Sequence, residues 1–374
     1  MQTDDGFAMG NGSNRIMSLN GLRYPCVAMV AFTHFQLVEH CHLVDINLSK
    51  WGVTFFFILS GFVLSIGYAD KVLSRGFDYK KYIVKRIAHI YPLHLLCLAA
   101  YAAMYFRHFT SADIVPYVLS ALLVQSWIPD LSVCYAGNAV AWFLSSLLPA
   151  YLLFPVVVRG LQRHSRWLLP SVLVVEAVYY ACCSMITDSE TIIYYSYICP
   201  VGRFFDFFMG MALYRLYRRS TNAQQMRPGI GAACAETAAV ALVVATVLWH
   251  LHFPLFARLN LIYIVPCAVL IIVLAVNRSY VSRLLASKPL QKLGDVSFTV
   301  FIIHLPCYYL FGGLMHIAGI YNASTTAAGA PAAAVIPDWL HLAIYLVAVT
   351  AISFPVTRYI VTPVSRRIIR RIDG

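Results

Sequence analysis

Leu19-Asn20-Gly21-Leu22-Arg23-Tyr24-Pro25-Cys26-Val27-Ala28-Met29-Val30-Ala31-Phe32-Thr33-His34 opens the first long apolar segment of the chain. It begins with an arginine and carries a histidine deep inside it. Arg23 and His34 are eleven residues apart. At 100° per residue that is about three turns plus 20°, so both project from one face of a helix. The rise between them is about 16 Å, roughly half a hydrocarbon core. With Arg23 at one headgroup level, His34 reaches the bilayer midplane. An ionisable side chain there is costly and marks a candidate functional site; the plainer reading is a histidine hydrogen-bonded between helices.

The composition agrees with a membrane setting. The 374 residues are 60% hydrophobic and only 12% charged, where soluble domains carry about 25% charged residues; mean hydropathy is +0.71. Apolar runs long enough to span recur along the chain. We expect an all-α, polytopic transmembrane helical bundle of about ten spans, near 22–39, 51–69, 84–106, 139–159, 167–186, 197–217, 230–250, 260–277, 294–316 and 338–361. In domain terms this is a polar N-terminal tail at 1–21, one transmembrane domain at 22–361 and a basic C-terminal tail at 362–374. The first 18 residues lack the pattern of a cleaved signal peptide. The stretch 112–128, broken by Pro116 and closed by Pro129, reads as a short interfacial or re-entrant helix.

The net charge of +12 does not point to nucleic acid, because basic residues fall in blocks between apolar segments. One set of connections holds Lys71, Arg75, Lys80, Lys81, Lys85 and Arg86, then Arg159, Arg163 and Arg166, then Arg215, Arg218, Arg219 and Arg227, and so on to Arg366, Arg367, Arg370 and Arg371 in the tail. The other set holds only Lys50, Arg107 and Arg258. Positive-inside bias puts the rich set and both termini in the cytoplasm. The ten cysteines form no Cys-x-x-Cys pair and no metal-site spacing; one disulfide among Cys41, Cys134 and Cys199 is allowed.

Five segments together resemble the membrane-bound acyltransferase-3 family. The opening arginine, ten residues, histidine is one. Gly52-Val53-Thr54-Phe55-Phe56-Phe57-Ile58-Leu59-Ser60-Gly61-Phe62 is similar to its Phe-Phe-x-Leu-Ser-Gly-Phe signature, and Ser60 and Gly61 would permit close helix approach. Lys85-Arg86-Ile87-Ala88-His89-Ile90-Tyr91-Pro92 resembles its arginine-x-x-arginine-Ile-Tyr-Pro, with His89 in place of the second arginine. Ala141-Trp142-Phe143-Leu144-Ser145-Ser146-Leu147 resembles its Trp-Ser-Leu-Ser-x-Glu, with Leu147 where the glutamate is usual; the preceding 124–130 looks like the branch near macrolide acyltransferases. Leu293-Gly294-Asp295-Val296-Ser297-Phe298-Thr299-Val300-Phe301-Ile302-Ile303-His304 resembles its Leu-Gly-x-x-Ser-Tyr-x-x-Tyr-x-x-His. A further run, Arg203-Phe204-Phe205-Asp206-Phe207, is similar to its Arg-x-x-Glu-Phe; Arg203 and Asp206 can pair on one helix face, as a structural ion pair or as a lining for the acceptor.

The resemblance implies an O-acyltransferase. An acyl group, acetyl foremost, would pass from cytoplasmic acyl-CoA, a co-substrate rather than a resident cofactor, to a hydroxyl of a glycan or lipid-linked saccharide in a bacterial inner membrane. His34 would act as general base or as an acylated nucleophile, with Arg23, His304 and Ser145 beside it. Lys85, Arg86, Arg23, His89 and Tyr91 would hold the coenzyme, and Arg203, Asp206 and Trp142 the acceptor. No metal is implied, and a homo-oligomer is compatible with the pattern. The rival is a non-enzymatic transporter or flippase using the same buried charges, although no repeated halves are visible.

Overall fold

The computed structural model describes residues 15–39, 48–160, 167–222, 229–252, 260–276, 278–317 and 338–373. Several expected features, namely residues 40–47 with Cys41, Arg163, Arg166, Arg227, Arg258 and the Ala-rich 323–335, lie outside them.

Ten helices of 16 residues or more, among the described residues, coincide with the ten expected segments. They are α1 (Met17–Glu39), α2 (Leu48–Leu73), α3 (Tyr79–Met104), α6 (Trp142–Gly160), α7 (Leu168–Ser184), α9 (Pro200–Asn222), α10 (Ile230–His252), α11 (Leu261–Val276), α13 (Lys288–Ile317) and α14 (Asp338–Val356). Shorter helices are α4 (Ser111–Ala121), α5 (Leu131–Cys134), α8 (Ser189–Ile193), α12 (Tyr280–Leu285) and α15 (Thr362–Asp373). No strand occurs among the described residues. Of the described helices, six are long and apolar enough to cross a membrane: α2, α3, α6, α10, α13 and α14 with its continuation. α7 and α11 are apolar but shorter; α1 and α9 carry the buried arginines that lower their hydropathy. α1 starts at Met17, more than a turn before the expected 22, and the basic tail at 362–373 is helical.

Glycine contacts set the register of the bundle. A Cβ on Gly61 would lie 1.9 Å from the Phe207 carbonyl, and one on Gly210 would lie 1.9 Å from the Ile58 carbonyl. α2 and α9 therefore touch backbone to backbone, which the Ser-Gly pair anticipated from one side only. A second such seam joins α1 to α12 and α13. A Cβ on Gly21 would meet the Leu285 carbonyl at 1.9 Å, and one on Gly294 the Asn20 carbonyl at 2.2 Å. Polar bonds lock it: Asn20 Nδ2 donates to Asp295 (3.1 Å), Gln291 Nε2 to the Met17 carbonyl (2.7 Å), and Arg15 pairs with Asp295.

Between α3 and α6 the chain forms a strap over 105–141. Asp113 and Asp130 accept bonds at its two helix starts, the first within a capping box. His94 Nε2 donates to the Ser120 carbonyl (2.9 Å), and Ser126 Oγ to the Trp142 carbonyl (2.9 Å), so the middle of the strap is tied to both flanking helices. Cys134 and Cys199 are free thiols.

Candidate functional site

The α1/α13 seam decides where the histidines meet. Asn20 lies against Gly294, and the two helices run in the same direction from there. Further along the same pair of helices His34 meets His304. The ring centroids are 5.0 Å apart, tilted by 55°. His304 is fully buried and His34 half-buried.

Hydrogen bonding fixes the proton positions. His34 Nδ1 is 2.9 Å from the Val30 carbonyl, and His304 Nδ1 is 2.7 Å from the Phe301 carbonyl. A carbonyl only accepts, so in the neutral rings each Nδ1 carries the hydrogen. His304 Nε2 is then a lone pair, 3.3 Å from His34 Nδ1. It shares the His34 Nδ1–H with the Val30 carbonyl. What remains is His34 Nε2, a lone pair on the more accessible ring. That atom can take a proton from an alcohol or attack a carbonyl. His304 is held from behind: Tyr345 donates to its backbone carbonyl (3.1 Å), and Asn138 Nδ2 to that of Ile302 (2.9 Å).

On the basic side of this pair, α1, α3 and α6 bring Arg23, Arg86, His89 and Tyr151 into mutual electrostatic reach. Arg23 and Arg86 are both buried. The Arg86 guanidinium lies over Tyr68 at 4.7 Å and Tyr82 at 5.8 Å. His89 packs near Phe298 at 5.9 Å between centroids. Lys85 is half-buried beside them. Tyr91 points elsewhere, its hydroxyl donating to the strap at the Leu122 carbonyl (3.0 Å).

The remaining expected residues sit apart from the histidines. Ser145 Oγ accepts from the Ser126 backbone (3.1 Å) and so anchors the strap, and the Trp142 ring packs on Tyr197 at 4.8 Å. Arg203 is almost wholly buried. Its Nη1 is 2.6 Å from Asp206 Oδ2, and its Nη2 donates to Tyr180 Oη (3.0 Å) and the Ser196 carbonyl (2.9 Å). That carbonyl lies in a π-turn over Tyr194–Ile198, whose looser ladder leaves it to accept from outside the helix. A file of aromatic rings separates the two clusters. Arg203 lies 5.6 Å from the Phe57 ring, Phe57 4.6 Å from Phe143, Phe143 4.9 Å from Phe301, and Phe301 6.1 Å from His304.

Two buried carboxyls escaped the sequence reading. Glu176 is fully buried beside Asp206 and Arg203. A lone acid in the apolar run 168–184 was the available signal. Glu236 accepts from the backbone N–H groups of Ser279, Val281 and Ser282 at 2.8–3.2 Å, capping α12 from another helix.

The acyltransferase domain family matches residues 16–358. The chain is similar to Acyltransferase MdmB of Streptomyces mycarofaciens, at 27% identity over 357 residues, covering 86% of this chain and 87% of that one. No solved structure matches it significantly.

Proposed function

The chain belongs to the acyltransferase-3 family and is an acyltransferase of multi-pass membrane type; from that premise we propose that His34 Nε2 is its reacting atom and acyl-CoA its donor. The observation that carries this reading is the pair of carbonyl-anchored Nδ1–H groups, which leaves one imidazole lone pair uncommitted on the ring that is not sealed.

In the general-base route, the acceptor O–H proton moves to His34 Nε2 as the alcohol oxygen attacks the thioester carbonyl. The tetrahedral intermediate collapses, the C–S bond breaks, and the thiolate leaves with the proton from the imidazolium. The new charge on His34 is met through its Nδ1–H by His304 Nε2 and the Val30 carbonyl. In the nucleophilic route, Nε2 attacks the thioester carbonyl, the C–S bond breaks and the coenzyme thiolate leaves; the alcohol then attacks the acyl-imidazolium, the C–N bond breaks, and the alcohol proton passes to the thiolate. The same geometry serves both. Arg23 and Arg86 provide the cationic approach for the coenzyme phosphates, with the His89 imidazole beside them and acetyl as the first choice of acyl group. The acceptor is a hydroxyl of a glycan or lipid-linked saccharide. Arg203 and Asp206, walled off by aromatic rings, serve as a structural ion pair in this scheme. The setting is a bacterial inner membrane, with ten spans and both termini in the cytoplasm. A transporter or flippase reading is displaced by the family.

The test is transfer of label from acetyl-CoA by purified protein. His34→Ala should lose about 10²–10⁴-fold in rate while keeping its detergent melting temperature. Full activity in that variant would end the proposal.

A further inference from the structure

The basic end of the bundle contains a second charged cavity, away from the histidines. It has a volume of about 620 Å³ and lies between α1, α2, α9, α11 and α12. Its floor is buried and partly apolar, with Leu274 and Ser282, while Arg218, Arg278 and Arg283 are exposed at its mouth beside half-buried Arg15. The charges do not cancel. Arg218 pairs with Asp70 at 2.7 Å, and Arg15 with Asp295. Among the described residues no ion pair joins Arg278 or Arg283; Arg283 Nε donates to the Ser279 carbonyl (3.1 Å), and its guanidinium lies over Tyr280 at 5.1 Å. Two cationic charges are therefore left facing one cavity.

We infer that this cavity holds the phosphate headgroup of an acidic phospholipid. Its place favours a lipid over the soluble donor. Ile66 and Asp70, four apart, present one face of α2 to the cavity, whereas Tyr68, under Arg86, points roughly the opposite way. None of Arg23, Arg86 and His89 lines it. The cavity and the Arg86 cluster therefore lie on opposite faces of α2. The helix ends that build it lie at the basic rim, where the inner-leaflet headgroups sit, and basic pockets between helices at that depth suit anionic headgroups. The apolar floor suits the glyceride portion.

Native mass spectrometry of the full chain in neutral detergent tests this with phosphatidylglycerol, phosphatidylcholine, inorganic phosphate and free coenzyme A as probes. One phosphatidylglycerol per chain should be retained, about tenfold more tightly than phosphatidylcholine. Arg278→Ala with Arg283→Ala should remove that preference, and Arg278→Lys with Arg283→Lys should keep it. Acyl transfer in phosphatidylcholine should be unchanged in both variants. Retention of the preference in the alanine variant would overturn the assignment. So would displacement of the lipid by coenzyme A or inorganic phosphate, which would make the cavity a soluble-anion site. If the double alanine variant does not fold, Arg278→Ala alone and the displacement arm decide.

Discussion

At the level of single residues, the chemistry rests on which nitrogen of which ring carries hydrogen. His304 is fully buried, and its Nε2 faces the Nδ1–H of His34, an arrangement suited to positioning that ring and its tautomer. Replacing it with glutamine removes the aromatic acceptor but keeps a polar group at the site. His304→Gln should lower kcat by roughly 10–100-fold, less than loss of His34. The KM for the donor should stay within twofold, because Arg23 and Arg86, proposed above to meet the coenzyme phosphates, lie on the basic side of the pair. A matched fall in kcat and rise in KM, with a lower melting temperature, would mark His304 as packing only. Much of this site was legible in the chain: the eleven-residue step from Arg23 to His34 fixes a shared face, and helix direction places His304 at a similar depth. The pair of Arg203 with Asp206, three residues on in one helix, was legible too. The bonds of Arg203 to Tyr180 and Ser196, and the place of Glu176 beside it, were not, because they come from other segments of the chain and no local spacing encodes a contact across a bundle.

At the level of elements, bare backbone contact is what fixes the helices. Gly61→Ala should destabilise the protein by about 1–3 kcal/mol or more, because its new methyl would meet the Phe207 carbonyl at 1.9 Å. At Gly67, two turns on in the same helix, a Cβ would have nothing within 4 Å. Gly67→Ala should be neutral or stabilising by about 0.5–1 kcal/mol. Thermal unfolding of the two variants in one detergent compares them directly, and equal effects would refute the close α2/α9 seam. The strap offers a second element-scale prediction. Bonds from Thr110 and Ser132 hold the carboxyls of Asp113 and Asp130 below their ordinary value of 3.8. Groups depressed in this way stabilise the folded form above the unfolded pKa and cease to do so as pH falls through the folded one. Hydrogen exchange in 111–138, corrected for intrinsic rate, should accelerate as pH drops below about 4, and Asp130→Asn should show the faster exchange of its half already at pH 7. The strap's existence could be read from Pro116 and Pro129. Its bonds to Ser145 and Trp142 could not, since the matched motif suggested a place beside His34 for Ser145 and one at the acceptor for Trp142.

For the molecule as a whole, the charge pattern and the folded arrangement support each other. Arg15, Asp70, Arg218 and Arg278 are far apart in sequence yet line one cavity, so the basic ends of α1, α2, α9 and α11 share one side. That is the side positive-inside bias assigns to the cytoplasm. The open quantity is how many helices cross. α7 has 17 residues, about 26 Å of helix against a core of about 30 Å. It nevertheless must cross if the basic rim is to stay on one side, because Arg159 ends α6 and Arg219 ends α9, with α7 between them. Thiol labelling checks this in cells. In a background with the exposed Cys182 and Cys234 changed to serine, Met185→Cys, at the far end of α7 and highly exposed, should react with a membrane-impermeant maleimide in intact cells. Ser74→Cys, at the basic end of α2, should react only after permeabilisation. Equal protection of both thiols would place α7 on the surface rather than across the membrane, and the alternation of charge would then need another count of spans.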